Sequence, residues 1–399
     1  MSESQNTIIV YGTTWCPDCK RAKQFLGEQR IPYRWVDIEQ DAAAMAYVEE
    51  INGGKRIVPT IIFPDGDIMT EPSNAELAAR VGLVTRAKRT YYDVIVVGGG
   101  PAGLTAALYT AREGLDTLVI EKGAPGGQAG VTQIIENLPG FDEGISGAEF
   151  AARLTRQAKR FGVELLQAQA VTDIRLNGQY REVHTADGNC YAASAVLLAT
   201  GSRYRRLNVP GEDELIGVNI HFCATCDGAF YKGKRVLVVG GGNSGFEEGL
   251  FLTKFADEVT IVEFLPEVRA SVVLQEKVAE RDDMRVITNH AVQEFVVEDG
   301  KLAAVRVMDR ATEQVHEWHP DGVFVFIGLT PNSDFLPQEI ERDRFGFVVT
   351  NNTLQTSLPG VFAAGDVRAG ATAQIAAAAG EGATAALMIR QYLNGLSNR

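Results

Sequence analysis

At 399 residues the chain is too long for one ordinary core, and its length points to two or three domains. A net charge of -13 excludes a nucleic-acid binder, which needs a basic surface, and the 45% apolar, 22% charged composition is that of a globular protein. No apolar run reaches the roughly 18 residues that cross a bilayer, and the polar MSESQNT start is not a secretory signal, so a cytoplasmic location with neither membrane nor nucleic-acid partners is expected.

Residues 7–84 read as a small α/β unit. An apolar strand over 7–11 runs into WCPDC, and the helix that follows carries Ala22, Phe25 and Leu26 on one face. A strand over 34–38, a helix from about Asp41, a break at Gly53-Gly54 and a strand over 57–63 come next. Ser73-x-x-Glu76 is a capping box for the last helix. Pro59 does not belong in a central strand and fits a cis-proline turn beside the active site. Cys16 falls at a helix N-terminus, where the dipole favours a nucleophilic thiolate. Lys20, Arg21 and Lys23 follow it, a set that either strengthens this field or forms a solvated basic face. The polar, basic stretch 85–90 (TRAKRT) reads as a linker.

From Tyr92 one device occurs twice. A strand over 93–97 enters GGGPAG, and a strand over 235–239 enters GGGNSG; each is followed by a helix and by a strand ending in an acid. Glu121 lies 23 positions after Gly98, and Glu263 the same 23 after Gly240. This is an internal repeat of a dinucleotide-binding βαβ unit. In each, the first glycine (Gly98, Gly240) allows the tight turn and the second (Gly100, Gly242) lets a pyrophosphate approach the backbone. The third (Gly103, Gly245) lets the helix pack on its strand. Phosphates then sit at a helix N-terminus, and Glu121 and Glu263 accept bonds from ribose hydroxyls. After Glu263 come Phe264, Leu265 and Pro266, with only Arg269 nearby to meet a 2′-phosphate, so NADH is expected over NADPH.

Four of the five cysteines form C-x-x-C pairs, Cys16/Cys19 and Cys223/Cys226. In a reducing compartment such pairs are catalytic or metal-binding more often than structural. The pairs lie roughly 200 positions apart, far from zinc-ribbon spacing, so no metal is expected. Two thiols at this spacing exchange electrons in pairs, and Asp227, directly after Cys226, can move the protons. His221 is a candidate for tuning Cys223. Cys190 reads as an inert buried thiol, and the remaining histidines carry no signal.

Residues 92–399 resemble bacterial thioredoxin reductase. The matches are GGGPAG, the Gly126-Gly127-Gln128 turn, Ala199-Thr200-Gly201, CATCDG with Asp227, GGGNSG with Glu247-Glu248, Thr330-Pro331-Asn332, and VFAAGDV before a helix containing Gln374. They depart at the second acid, where thioredoxin reductases carry HRR. Val262-Glu263-Phe264 and Pro266-Glu267 look instead like the flavoprotein body of alkyl hydroperoxide reductase, which is NADH-dependent. Residues 7–84 resemble a glutaredoxin, and Asn52-Gly53-Gly54 with Val58-Pro59-Thr60 is similar to the mycoredoxin-type branch.

The resemblance implies an α/β chain: an N-terminal thioredoxin/glutaredoxin fold, then a flavoprotein disulfide reductase fold with two dinucleotide-binding domains. The implied boundaries are 1–84 for the glutaredoxin-like domain and 85–90 for the linker. An FAD domain split into 91–210 and 327–399 follows, with a pyridine-nucleotide domain carrying Cys223/Cys226 inserted at 211–326. By the same resemblance FAD lies on Gly98, Gly100, Gly103, Glu121 and Gln128, with Asp366 near the ribityl chain and Gln374 near the isoalloxazine. The second nucleotide lies on Gly240, Gly242, Gly245 and Glu263. Such reductases are homodimers that rotate the inserted domain, with Cys226 facing the flavin and Cys223 attacking the outgoing disulfide.

The expected activity is disulfide reduction, with electrons passing from NADH through FAD and Cys223–Cys226 to Cys16–Cys19 and then to an external disulfide. That acceptor is a low-molecular-weight thiol disulfide or a thioredoxin-like protein. The enzymatic alternative is the reductase component of a peroxiredoxin-based peroxide-reducing system. A flavoprotein redox sensor is the non-enzymatic one.

Overall fold

The computed structural model of the chain describes residues 7–397 except 133 and 136, and the side chains at 225, 226 and 397, among them that of Cys226, lie outside the described residues. The N-terminal unit comprises β1 (Ile8–Gly12), α1 (Pro17–Glu28), β2 (Tyr33–Asp37), α2 (Ala42–Ile51), β3 (Thr60–Ile62), β4 (Ile68–Thr70) and α3 (Asn74–Arg80). Its sheet runs β2-β1-β3-β4, with β1 parallel to β2 and antiparallel to β3. Val10, Phe25, Leu26, Ile61 and Leu77 close one core against it. Asp41 caps α2 and the Ser73/Glu76 capping box opens α3. The strand expected over 57–63 is shorter, because Pro59 has no N–H for the ladder and pairing starts at Thr60. The Val58–Pro59 peptide is cis.

The body begins with β5 (Tyr91–Val97), α4 (Pro101–Arg112), β6 (Thr117–Ile120), α5 (Gly147–Arg160), β7 (Glu164–Leu166), β8 (Val171–Asn177), β9 (Tyr180–Thr185), β10 (Cys190–Leu198) and β11 (Ser202–Tyr204). A second set follows: α6 (Glu212–Leu215), β12 (Ile220–His221), α7 (Ala224–Asp227), β13 (Arg235–Val239), α8 (Asn243–Leu252), β14 (Glu258–Val262), α9 (Val272–Ala279) and β15 (Met284–Ile287). The chain ends with β16 (His290–Glu298), β17 (Lys301–Asp309), β18 (Val315–Trp318), β19 (Gly322–Val325), β20 (Leu329–Pro331), β21 (Val361–Ala363) and α10 (Ile375–Ser397).

Two sheets carry the repeated units. One runs β7-β6-β5-β10-β9-β8, with β21 returning from the C-terminal part to lie parallel to β10. The other runs β12-β19-β13-β14-β15, entirely parallel, with β16-β17-β18 as a separate antiparallel sheet. Parallel strands are covered on both faces, which is why β5 and β13 end in the unbroken apolar runs VIVV and VLVV. The stretches 202–204 and 329–331, which lead into and out of the second sheet, pair antiparallel as β11-β20.

The small unit sits on the body through the end of α1. The Ala124 N–H donates to Glu28 O at 3.0 Å, Gln29 Nε2 donates to Lys122 O at 3.0 Å, and the Gln167 N–H donates to Val84 O at 2.8 Å. The stretch 85–90 is fastened rather than loose. Ala87 N–H donates to the Tyr191 hydroxyl at 3.3 Å, Lys88 N–H to Glu164 at 2.8 Å, and Arg89 pairs with Asp116.

The third glycine of each motif is under the tightest constraint. A Cβ on Gly245 would lie 1.8 Å from Gly240 O, whereas one on Gly242 meets nothing within 4 Å. Gly245→Ala is therefore expected to destabilise the protein by about 1–3 kcal/mol, and Gly242→Ala to leave stability nearly unchanged, as read from urea unfolding midpoints.

Candidate active site: two dinucleotide cradles and two thiol pairs

The first cradle forms where β5 turns into α4. Gly98 has φ +106°, and a Cβ there would meet Ala199 O at 2.3 Å, so only glycine fits. Gly100 is the N-cap of α4 and offers no side-chain cap, leaving the first helical N–H groups for an anion. A Cβ on Gly103 would lie 1.9 Å from Gly98 O. Glu121 accepts from Gly99 N–H at 2.5 Å and Gly123 N–H at 2.7 Å, and burial pushes its carboxyl upward against those bonds. The Gly126-Gly127-Gln128 turn is stitched to the same loop by Gly126 N–H donating to Gly99 O at 2.7 Å, and Gln128 Nε2 donates to Ser202 O at 2.7 Å. Gln374, just before α10, accepts from Asn137 at 3.0 Å. Glycines without room for a side chain, an uncapped helix and a buried acid fit a dinucleotide such as FAD.

The second cradle repeats the geometry. Gly240 has φ +123°, and its Cβ would lie 2.4 Å from Phe326 O. Gly242 caps α8 without a side-chain bond, and Glu263 accepts from Gly241 N–H at 2.5 Å and Leu265 N–H at 2.8 Å. The structure adds a cation that sequence reading missed. Arg310, from the turn after β17, lies 3.9 Å over the Phe264 ring and donates to Phe264 O at 2.8 Å. It is 46 positions away in sequence, so only the fold brings it beside Glu263's loop.

Cys223 is disulfide-bonded and caps α7, whose Asp227 N–H donates to Cys223 O at 3.1 Å. His221 does not turn its ring nitrogens to Cys223. Nδ1 lies 3.3 Å from Asp227 Oδ2 and Nε2 lies 2.7 Å from the Tyr231 hydroxyl, in a buried cluster with Phe324. It thus holds Asp227 in place. Tyr204 on β11 stacks on Phe222, ring centroids 5.0 Å apart. Burial, followed by the charges of Asp366, Glu248 and Asp227, pushes its hydroxyl up to about 12. One tyrosine on β11 thus lies within electrostatic reach of Asp366, of Glu248 on α8 and of Asp227 beside the thiol pair. Glu248 on α8 is raised by burial, and its Oε2 has no partner among the described residues.

Cys16 is the N-cap of α1, with its sulfur accepting the Cys19 N–H at 3.2 Å. Cys19 is wholly buried, and burial together with the Cys16 bond pushes its thiol up to about 12. Cys19 is therefore a thiol at neutral pH, which leaves Cys16 as the attacking sulfur. Cys190 is not buried as expected. It opens β10 on the outward face, opposite buried Tyr191, with its sulfur 3.9 Å from His184 Nε2. No helix among the described residues is long and apolar enough to cross a membrane.

Comparison with known proteins agrees with this geometry. The chain belongs to the pyridine nucleotide-disulphide oxidoreductase family, whose model matches residues 92–382, and residues 8–68 match the glutaredoxin family. It is 42% identical over 307 residues to the thioredoxin reductase of Bacillus subtilis, which covers 76% of this chain and 96% of that relative. The crystal structure of thioredoxin reductase from Streptococcus pyogenes is similar at 40% identity with a TM-score of 0.71, over 77% of this chain and 99% of that one. Thioredoxin reductase from Giardia duodenalis is similar at 31% identity with a TM-score of 0.71, over 77% of this chain and all of that one (100%). The chain is thus a thioredoxin-reductase-like flavin disulfide reductase with a glutaredoxin domain, and the family implies FAD and a pyridine nucleotide.

Asp366, expected near the ribityl chain, gives a pH test of its own burial. Burial, and then Glu381, raises its carboxyl to about 6, above the ordinary 3.8. A raised acid binds its proton more tightly folded than unfolded, so its contribution favours folding at low pH and fades as pH rises from about 4 to 6. In the FAD-free protein, Asp366→Asn is expected to be more stable than the parent at pH 7. That advantage should vanish by about pH 4 in thermal melts.

Proposed function

We propose that this chain takes two electrons from NADH through FAD to Cys223–Cys226, then to Cys16–Cys19, and finally to an external disulfide. The observation that carries the reading is one polypeptide holding two dinucleotide cradles, a disulfide at Cys223 beside Asp227, and a free dithiol at a helix N-terminus. FAD, when bound, supplies the relay between hydride donor and dithiol. In the body, Asp227, held by His221, moves the proton that thiol–disulfide exchange requires. Cys16 attacks the outgoing disulfide, and buried Cys19 resolves the mixed disulfide. We assign FAD to residues 91–210 and 327–399, the pyridine nucleotide to 211–326, and a homodimeric assembly to the whole. Rotation of the 211–326 insert about the β11-β20 pair brings Cys223–Cys226 out to its acceptor. The fastening of 85–90 supports the insert, rather than the glutaredoxin domain, as the moving part.

Cys16→Ser is expected to abolish reduction of external disulfides while NADH still bleaches the flavin at the parent rate, followed at its visible absorbance. Residues 91–399 reducing the same disulfides as fast as the full chain would overturn the relay.

The preference for NADH rests on Glu263 at the ribose position, where a carboxylate repels a 2′-phosphate. Arg310 is the opposing charge, but its guanidinium is engaged by Phe264 O and the Phe264 ring. A charge facing a phosphate in a closed site is worth a few kcal/mol, so kcat/KM is expected to favour NADH by roughly 10- to 1000-fold. Steady-state kinetics with both nucleotides decide it. Equal efficiencies would mean that Arg269 or Arg310 meets the phosphate.

A further inference from the structure

The segment that forms the FAD turn is held from outside the body. Arg30, two residues beyond α1, donates from Nη1 to Pro125 O at 2.9 Å and from Nη2 to Gly127 O at 2.6 Å. With Gln29 on Lys122 O and Glu28 O on the Ala124 N–H, four backbone groups between 122 and 127 are bound by the small unit. Arg30 lies over a glycine-lined slot, and a Cβ on Gly130 would strike its Nη1 at 2.1 Å. Its own φ is +52°, a left-handed conformation that a non-glycine residue keeps only when its surroundings fix it.

The consequence follows from peptide planarity. In a trans peptide the C=O and the next N–H point in opposite directions. Fixing Pro125 O toward Arg30 aims the Gly126 N–H at Gly99 O, where it is found at 2.7 Å. Fixing Gly127 O toward Arg30 turns the Gln128 N–H to the opposite side, away from the small unit. The turn itself lies against the first cradle, where a Cβ on Gly127 would come within 3.2 Å of the Gly100 Cα. Burial lowers the Arg30 guanidinium from its usual range, and the charge of Glu121, the acid assigned to the ribose, opposes that shift. A planar guanidinium spans two carbonyls at once, which a lysine ammonium cannot reproduce in the same geometry.

We propose that Arg30 is a positioning residue for the FAD cradle, through which seating of the glutaredoxin domain and retention of FAD stabilise one another. The inference rests on the assignment of FAD to residues 91–210 and 327–399. Linkage is reciprocal: if the seated domain tightens FAD binding, FAD must hold the domain in its seat.

The test uses the full chain stripped of FAD and titrated back, with flavin fluorescence giving Kd, and protease cleavage within 85–90 measured with and without FAD. Arg30→Ala and Arg30→Gly are expected to weaken FAD binding about 10-fold or more, the effect of losing two charge-assisted bonds. Arg30→Gly keeps the left-handed backbone unstrained, so its loss reports the guanidinium and not the fold. Gly130→Ala, which evicts the guanidinium from the other side, should act in the same direction, and Arg30→Lys should restore only part of the affinity. FAD should slow cleavage of 85–90 in the parent and not in Arg30→Gly. Parent-like FAD affinity in Arg30→Gly, or equal protection by FAD in both proteins, would overturn the proposal. A parent chain that binds no FAD would instead remove the flavin assignment, a distinct result.

Discussion

An α-helix leaves its first backbone N–H groups without partners, and this chain is organised around three helices that leave that end open to chemistry. α4 and α8 begin on Gly100 and Gly242, residues with no side chain to satisfy those donors. α1 begins on Cys16, whose sulfur itself takes the Cys19 N–H. The same deficit of acceptors leaves two ends suited to an anion and gives the third to sulfur. The first and third glycines of each motif, Gly98 and Gly103, Gly240 and Gly245, follow from the same turn, because a backbone this close to its own strand and to a neighbouring carbonyl has no volume left for a Cβ.

What was legible in the sequence is what depends on neighbours along the chain. The two βαβ units, the acids at their second strands, the N-cap position of Cys16, the capping box at Ser73 and the turn at Pro59 are all set within about 25 residues, and each lies where its motif predicts. What was not legible depends on groups brought together by folding. Arg310 beside Phe264, Tyr204 among three acids and Arg30 on the 125–127 turn carry no local pattern, since a lone arginine or tyrosine reads as surface. Cys190 was misplaced for a similar reason: the alternation of β10 puts its first residue outward, and composition alone does not fix that phase. The stretch 85–90 has the composition of a free linker, yet its amides find acceptors on the body, and only the docked arrangement supplies them.

The magnitudes of these contacts bear on which part moves. The glutaredoxin domain is held by bonds from Glu28, Gln29, Arg30 and Val84 and by the fastened 85–90 stretch, each bond worth about 1 kcal/mol net and those of Arg30 more. The junction between β11 and the thiol pair is of another kind, a stack of Tyr204 on Phe222 worth about 0.5–1.5 kcal/mol beyond its buried area. That stack alone accounts for roughly a tenfold change in a two-state population at most, whereas releasing the seat breaks several bonds together. An enzyme that must alternate its disulfide between flavin and acceptor needs two orientations of comparable free energy. The proposed rotation assigns that role to the insert on its two-stranded β11-β20 connection rather than to the seated domain. Cys16 stands at the end of α1 opposite its seat, about 18 Å along a 12-residue helix, so the proposed rotation of the insert would carry the disulfide to a fixed acceptor.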